Sequence, residues 1–287
     1  TFEYLTTTFP DASIAIADKK TAAEFSKKHQ ELLSLVTTHL GPSYLESIKD
    51  YDIVIKAPGI PLHAIKQHTA NNQLIASATA IFFAACPGTI IGITGTKGKS
   101  TTASLIHAVL KKGNLPVHLI GNIGIPSLKA LRGASTKDIF VYELSSFQLE
   151  GLRQSPHIAV LLNLYPEHLD HHQTFKAYEQ AKSNIAAHQT EQDTLIYNSE
   201  DAALSDIITS SKAQKVPYVQ EKAHPFLAPV EPAYIIGTMF GISTKTIDQT
   251  IAEFIPLAHR LENIGEYREI TFYNDSLATI PEATIGA

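Results

Sequence analysis

The sequence predicts an α/β protein with mainly parallel sheets. Three observations support this. Residues 89–112 (TIIGITGTKGKSTTASLIHAVLKK) pass from an apolar, β-branched run through a glycine-containing turn into a helical pattern. Further short apolar runs alternate with helical segments on both sides of that stretch. The strongest of those runs end in polar residues, which a parallel sheet gathers along one edge.

Within 89–112, Ile90, Ile91 and Ile93 have the composition of a strand buried on both faces. Thr102, Leu105, Ile106, Val109 and Leu110 keep the spacing of one apolar helical face, and Gly113 marks the helix end. Strand, glycine loop, Lys-Ser and helix N-terminus together make a phosphate cradle. Gly95, Thr96, Lys97, Gly98 and Thr101 supply backbone around the anion, Lys99 a charge, and Ser100 a hydroxyl for Mg²⁺. The spacing departs from the strict G-x-x-x-x-G-K-[ST] pattern, with glycines at Gly92 and Gly95 instead.

Residues 1–88 form a small α/β unit, with strands expected at 13–17, 51–57 and 73–77, helices between them and parallel winding. The loops Asp18-Lys19-Lys20 and Pro58-Gly59 follow such strands, where ligands bind; plain turns account for them equally well. Beyond the phosphate cradle, strands are expected at 117–120, 138–144 and 158–164, with weaker ones at 194–197 and 216–219. The three strong ones lead into Gly121-Asn122, Ser145-Ser146 and Tyr165-Pro166-Glu167-His168.

Glu143 lies inside a hydrophobic strand, where a carboxylate needs compensation by hydrogen bonds or, beside a phosphate loop, by Mg²⁺. The group His168, Asp170, His171 and His172 suggests zinc, but adjacent histidines on a helix are expected to diverge. One functional residue, His168, is expected there, with the others on a solvated face. A helix over 174–188 puts Phe175, Tyr178, Lys182 and Ile185 on one stripe. An inward lysine loses pKa and can react with CO₂ to give a carbamate; on spacing alone, a lysine whose stem packs and whose head reaches water is the simpler reading.

Composition excludes several classes. The 287 residues are 44% hydrophobic and 18% charged, with a net charge of −5, so nothing marks a nucleic-acid binder. No window has the apolar length of a membrane span. The single cysteine, Cys86, allows no internal disulfide and fits a reducing, cytoplasmic setting.

Several ordered strings, GTKGKSTT at 95–102, ELSSFQLE at 143–150, the 163–170 segment with His168, YEQAKSNI at 178–185, HRLE at 259–262 and NDSLAT at 274–279, together resemble the Mur ligase family. The resemblance implies a Rossmann-like, UDP-substrate-binding domain at 1–88, a P-loop-type ATPase domain at 89–256, and at 257–287 the stub of a third α/β domain. The family's first strand is expected before Thr1, and most of its third domain after Ala287. It implies ATP-dependent addition of glutamate to UDP-N-acetylmuramoyl-L-alanine through an acyl phosphate; D-glutamate is the form expected from the resemblance, while the residues themselves leave D- and L-glutamate open. That reaction belongs to peptidoglycan precursor synthesis, hence to cell-wall formation, cell shape and division. A cytoplasmic monomer is expected.

By the same resemblance, Lys99 and its loop hold the ATP phosphates, and Ser100 and Glu143 one Mg²⁺. His168 and a carbamylated Lys182 hold a second Mg²⁺, which reverses the simpler reading of Lys182. Asn122, Ser145 and His168 face the muramoyl substrate; Lys19 and Gly59 lie toward UDP; Arg260 and Asp275 contact the nucleotide. Lys19-Lys20 stands where Thr-Arg is more usual, Leu277 replaces a usual lysine, and the family's His-Asn adenine loop has no counterpart before Glu231. A folylpolyglutamate-type ligase and a nucleotide-binding regulatory module without ligase chemistry are the alternatives; no guanine-reading Asn-Lys-x-Asp string accompanies the loop.

Overall fold

The computed structural model describes residues 1–70, 73–220, 229–255, 262–274 and 276. Two compact units divide the chain, Thr1–Phe82 and Phe83–Ala287.

The first unit contains helices α1 (Phe2–Thr8), α2 (Lys27–Leu33) and α3 (Leu62–Lys66), and the start of α4 (Ala78–Ala85). Its strands are β1 (Ala15–Asp18), β2 (Thr37–Leu40), β3 (Ile53–Lys56) and β4 (Leu74–Ser77). They pair in parallel as β1 with β2 and β3 with β4. The expected parallel winding is present, and β2 is an additional strand. Its sequence, TTHL, is too polar and too short to stand out from its surroundings. Two short helical segments of the tighter 3₁₀ kind, Ala22–Glu24 and Tyr44–Asp50, fill the remaining connections.

The second unit is built on β5 (Thr89–Thr94), β6 (Val117–Gly121), β7 (Ile139–Glu143), β8 (Ile158–Leu161), β9 (Thr194–Asn198) and β10 (Gln214–Tyr218). These six strands form one sheet in the order β10-β9-β8-β5-β7-β6, and every pairing is parallel. The helices are α5 (Lys99–Lys112), α6 (Ser127–Ala130), α7 (Ser146–Leu149), α8 (Leu169–His172), α9 (Phe175–Ser183), α10 (Ser205–Ser210), α11 (Glu231–Met239) and α12 (Thr244–Glu253). A hairpin of β11 (Glu262–Tyr267) and β12 (Ile270–Asn274) follows.

The two faces of the sheet bury different residues of the same strands. Ile139 and Val141 of β7 join a core with Leu105, Ile106, Val109 and Leu110 of α5 and with Ile236 and Ile247 of α11 and α12. Phe140 and Tyr142 alternate onto the opposite face and are also buried. Continuous apolar strands are the sequence form of a sheet covered on both sides. Strand order reverses around β5, since α5 leads toward β6 on one side while β8 lies on the other. The crevice beyond the C-terminal ends of the strands opens at such a point.

The predicted α5 stripe is buried as a whole, from Thr102 to Leu110, and Gly113 caps the helix. The helix expected over 174–188 ends earlier, at Ser183, although Ile185 remains fully buried. Truncating Ile106 to Ala should lower the stability of this unit by about 2–5 kcal/mol, because the side chain is fully enclosed and its loss leaves a cavity that the surroundings fill only in part. Urea unfolding followed by circular dichroism measures this; an unchanged midpoint would remove Ile106 from the core.

Candidate active site

The loop after β5 turns on two glycines. Gly95 runs against the start of the next strand's extension, where an added Cβ would lie 2.8 Å from Leu162 Cβ. Gly98 adopts φ +83° and is the N-cap of α5, a conformation that disfavours other residues. The first-turn N–H groups of Lys99, Ser100 and Thr101 have no intrahelical carbonyl to bond, so this end of a long helix offers donors and a positive dipole.

Neighbouring strand ends lock the loop. Leu144 N–H donates to Ile93 O at 2.9 Å and Leu162 N–H to Thr94 O at 3.0 Å, continuing both ladders past the strands. Asn163 then clamps the loop on three atoms. Its carbonyl accepts from Thr96 N–H at 2.9 Å, its Oδ1 accepts from Lys97 N–H at 2.8 Å, and its Nδ2 donates to Lys97 O at 3.1 Å. Tyr165 N–H donates to Thr96 Oγ1 at 2.9 Å, and Tyr178 OH lies 2.9 Å from the same oxygen. Lys97 Nζ meets Glu167 Oε1 at 2.7 Å, and Lys99 Nζ donates to Thr96 O at 2.9 Å.

Lys182 enters this network from α9. It is 1% exposed, donates to Gly95 O at 2.7 Å and to Thr94 Oγ1 at 3.3 Å, and its Nζ lies 4.8 Å from the centre of the Tyr178 ring. Burial, then the Lys99 charge, holds its pKa well below the ordinary 10.5, against the pull of Glu167 and Glu143. The lysine therefore does not reach water with its head.

Glu143 pairs in register with Ile93 on β5 and Gly121 on β6. It is 2% exposed, and its Oε2 has no hydrogen-bond partner among the described residues. A buried carboxylate oxygen left open in this way fits a cation, and hard oxygen ligands suit Mg²⁺. Asn122 follows β6 at the same sheet edge and is exposed. Ser145 caps α7, with Gln148 closing the reciprocal pair of bonds. His168 sits at φ +56° just before α8, with its ring 4.8 Å from that of Phe147. Partial burial, followed by the Lys182 and Lys99 charges, lowers its pKa although Glu167 opposes this.

Gly95, Thr96, Lys97, Gly98, Lys99, Ser100, Glu143, His168 and Lys182 therefore gather at the C-terminal ends of β5, β7 and β8. Lys19 and Gly59 belong to the other unit, in exposed loops after β1 and β3. Arg260 and Asp275 lie outside the described residues.

Residues 93–252 match the family described as the Mur ligase middle domain. That span is more than half of the chain. The chain belongs to the Mur ligase family. It is 34% identical to a UDP-N-acetylmuramoylalanine–D-glutamate ligase of Streptococcus agalactiae serotype III, over 80% of this chain and 58% of the relative. It is 32% identical to a ligase of the same description from Clostridium acetobutylicum, over 96% and 67%. The chain thus spans less than two thirds of several of the curated relatives it matches. Among solved structures, a Thermotoga maritima MurF ligase in complex with ADP aligns with TM-score 0.57 and 14% identity, over 82% of this chain and 69% of that one. MurF from Acinetobacter baumannii aligns with TM-score 0.54 and 15% identity, over 82% and 68%. These likenesses establish a Mur ligase fold.

One expectation fails. Asp170 is exposed, but His171 and His172 do not join it on a solvated face; they are 7% and 5% exposed. A single helical turn packed on α7 buries both rings, because residues 100° apart still fit on the covered half of so short a helix. His171 meets Phe147 edge-on at 4.4 Å, and His172 stacks on it at 5.6 Å. Sequence reasoning also missed the polar roles of Asn163 and Tyr178. Asn163 at the end of an apolar strand was a usable signal; the Tyr178 hydroxyl, on an otherwise apolar stripe, was not.

Two titrations follow. The unfolded chain keeps the Lys182 proton up to 10.5 while the folded site releases it at lower pH, so this group makes stability rise with pH across that interval. In CO₂-free buffer, Lys182→Met should flatten that alkaline slope in denaturation midpoints. Burial, then the neighbouring His171, lowers His172 from 6.5 to about 4. As pH falls through that window the unfolded chain takes up a proton that the folded site refuses, and stability drops. His172→Gln should remove that part of the acid dependence, and an unaltered acid profile would contradict the assignment.

Proposed function

We propose that this chain carries the nucleotide and acid-activating part of an ATP-dependent ligase that adds D-glutamate to UDP-N-acetylmuramoyl-L-alanine. The observation that carries this reading is the buried Lys182 amine beside the phosphate loop, with the open carboxylate oxygen of Glu143 at the neighbouring strand end. The names of the curated relatives support the substrates. In this reading the reaction belongs to peptidoglycan precursor synthesis in the cytoplasm.

In this reading the loop 95–101 and Lys99 bind and orient the ATP phosphates. Ser100 and Glu143 would hold one Mg²⁺, and His168 with Lys182 a second, Lys182 as the carbamate that a neutral amine forms with CO₂. Bound there, the ions would neutralise charge on the phosphate oxygens. The carboxylate of the muramoyl substrate attacks the γ-phosphorus, giving an acyl phosphate and ADP; the glutamate amine then displaces phosphate and forms the amide. The chain contributes chiefly position and charge to both steps. Asn122, Ser145 and His168 line the muramoyl side of the site, Lys19 and Gly59 contact the UDP portion, and Arg260 and Asp275 the nucleotide. We assign 1–88 to UDP-substrate binding, 89–256 to ATP, and 257–287 to the start of an amino-acid-binding domain.

Lys99→Ala should weaken binding of ATP with Mg²⁺ by about 10-fold or more, since a charge-assisted hydrogen bond is worth about 1.5–3 kcal/mol. Isothermal titration measures this, and unchanged affinity would remove the loop from phosphate binding. In the turnover assay, ADP release is expected to require both UDP-N-acetylmuramoyl-L-alanine and D-glutamate. Release independent of an acceptor amino acid would contradict the ligase reading.

A further inference from the structure

We propose that Glu150, His171 and His172 form a binding site for a divalent transition-metal ion, distinct from the phosphate-loop site and independent of the ligase reading. Each residue offers one ligand atom, and the three atoms lie within 4.8 Å of one another. Glu150 Oε2 and His171 Nε2 are 3.4 Å apart, and His172 Nε2 is 3.0 Å from Ser146 Oγ.

The donor set selects the ion. Two imidazoles and one carboxylate suit Zn²⁺, Co²⁺ or Ni²⁺, whereas Mg²⁺ prefers oxygen ligands alone. Bonds of about 2.0–2.1 Å in a tetrahedral site place neighbouring ligand atoms roughly 3.3 Å apart, so the Glu150–His171 pair already has the required edge. The widest separation must close by roughly 1.5 Å, within reach of side-chain rotation. Burial of both histidines removes competing water, and the rings are held against Phe147 and each other, 4.7 Å apart. Glu150 is only partly buried, which leaves an entry path and a fourth position for water. An ion here would tie α7, which follows β7, to α8, which follows the His168 turn.

Without an ion, the same groups make a hydrogen-bonded polar core of His171–Glu150 and His172–Ser146 pairs, so the test must separate the two. Co²⁺ titrated into the chain at neutral pH, with Mg²⁺ in excess to fill oxygen sites, should give a visible d–d band that saturates at one equivalent and is displaced by Zn²⁺. Glu150→Gln and His171→Gln should each weaken Co²⁺ binding by about tenfold or more, while His168→Gln retains the band. No saturable band, a band unchanged in both variants, or a band lost in His168→Gln instead would overturn the site. Should either variant unfold by circular dichroism, X-ray absorption at the cobalt edge of the unaltered chain decides: two imidazole scatterers support the site, and a shell of oxygens alone rejects it.

Discussion

The hydrogen bond from Lys182 Nζ to Gly95 O fixes the geometry of everything at this end of the sheet. A chain leaving a buried strand for a tight loop must find partners for carbonyls that no longer face a neighbouring strand. Here the first such carbonyl turns toward α9 and meets an amine that has no access to water. The same amine also bonds the Thr94 hydroxyl, which in turn donates to Leu144 O at 2.8 Å. One side chain from a helix 87 residues along the chain from Gly95 thus ties β5 to the strand end that carries Glu143. Shape alone would admit a methionine there, but methionine would leave the Gly95 carbonyl without its donor. Arginine could not surrender its charge. Lysine is the side chain that can both make the bond and become neutral.

Around that bond the loop is held by hydrogen bonds from neighbouring strand ends and α9. Asn163 bonds the backbone of Thr96 and Lys97, and Thr96 Oγ1 is shared by Tyr165 and Tyr178. Residues preorganised this way lose little entropy when a ligand arrives, so more of the contact energy goes into orientation. Lys97 and Lys99 make their own contacts, with Glu167 and with Thr96 O, within the loop region. A phosphate chain would compete with flexible side-chain contacts of this kind while the backbone cradle stays in place.

Much of this was legible in the sequence because it depends on short-range rules. The α5 stripe follows from helical period, the strands from continuous β-branched runs, and the edge that carries the site from parallel topology. Lys182 could be placed on an inward stripe by spacing, but spacing could not say whether its head reached water; that depended on Tyr178 and Gly95, far away in sequence. The failures have the same character. Strand β2 is not legible in the sequence because TTHL has no pattern strong enough to rise above its neighbours, and it exists by pairing with β1. The divergence of adjacent positions on a helix predicts a solvated face for His171 and His172, whereas a one-turn helix is oriented wholly by what it packs on.

The packing of that one turn has a consequence for both polar clusters. Phe147 is shared between them: the rings of His168, His171 and His172 all lie against it. Ser145, which caps α7, immediately precedes Ser146, whose hydroxyl bonds His172. A rigid aromatic ring transmits displacement rather than absorbing it, because close-packed interiors have little free volume to take up a shift. Phe147 and the short turn at His168 are therefore the physical links between the two clusters. The buried histidine pair is also tied to His168 through the backbone, the His171 and His172 N–H groups donating to His168 O at 3.1 and 3.0 Å.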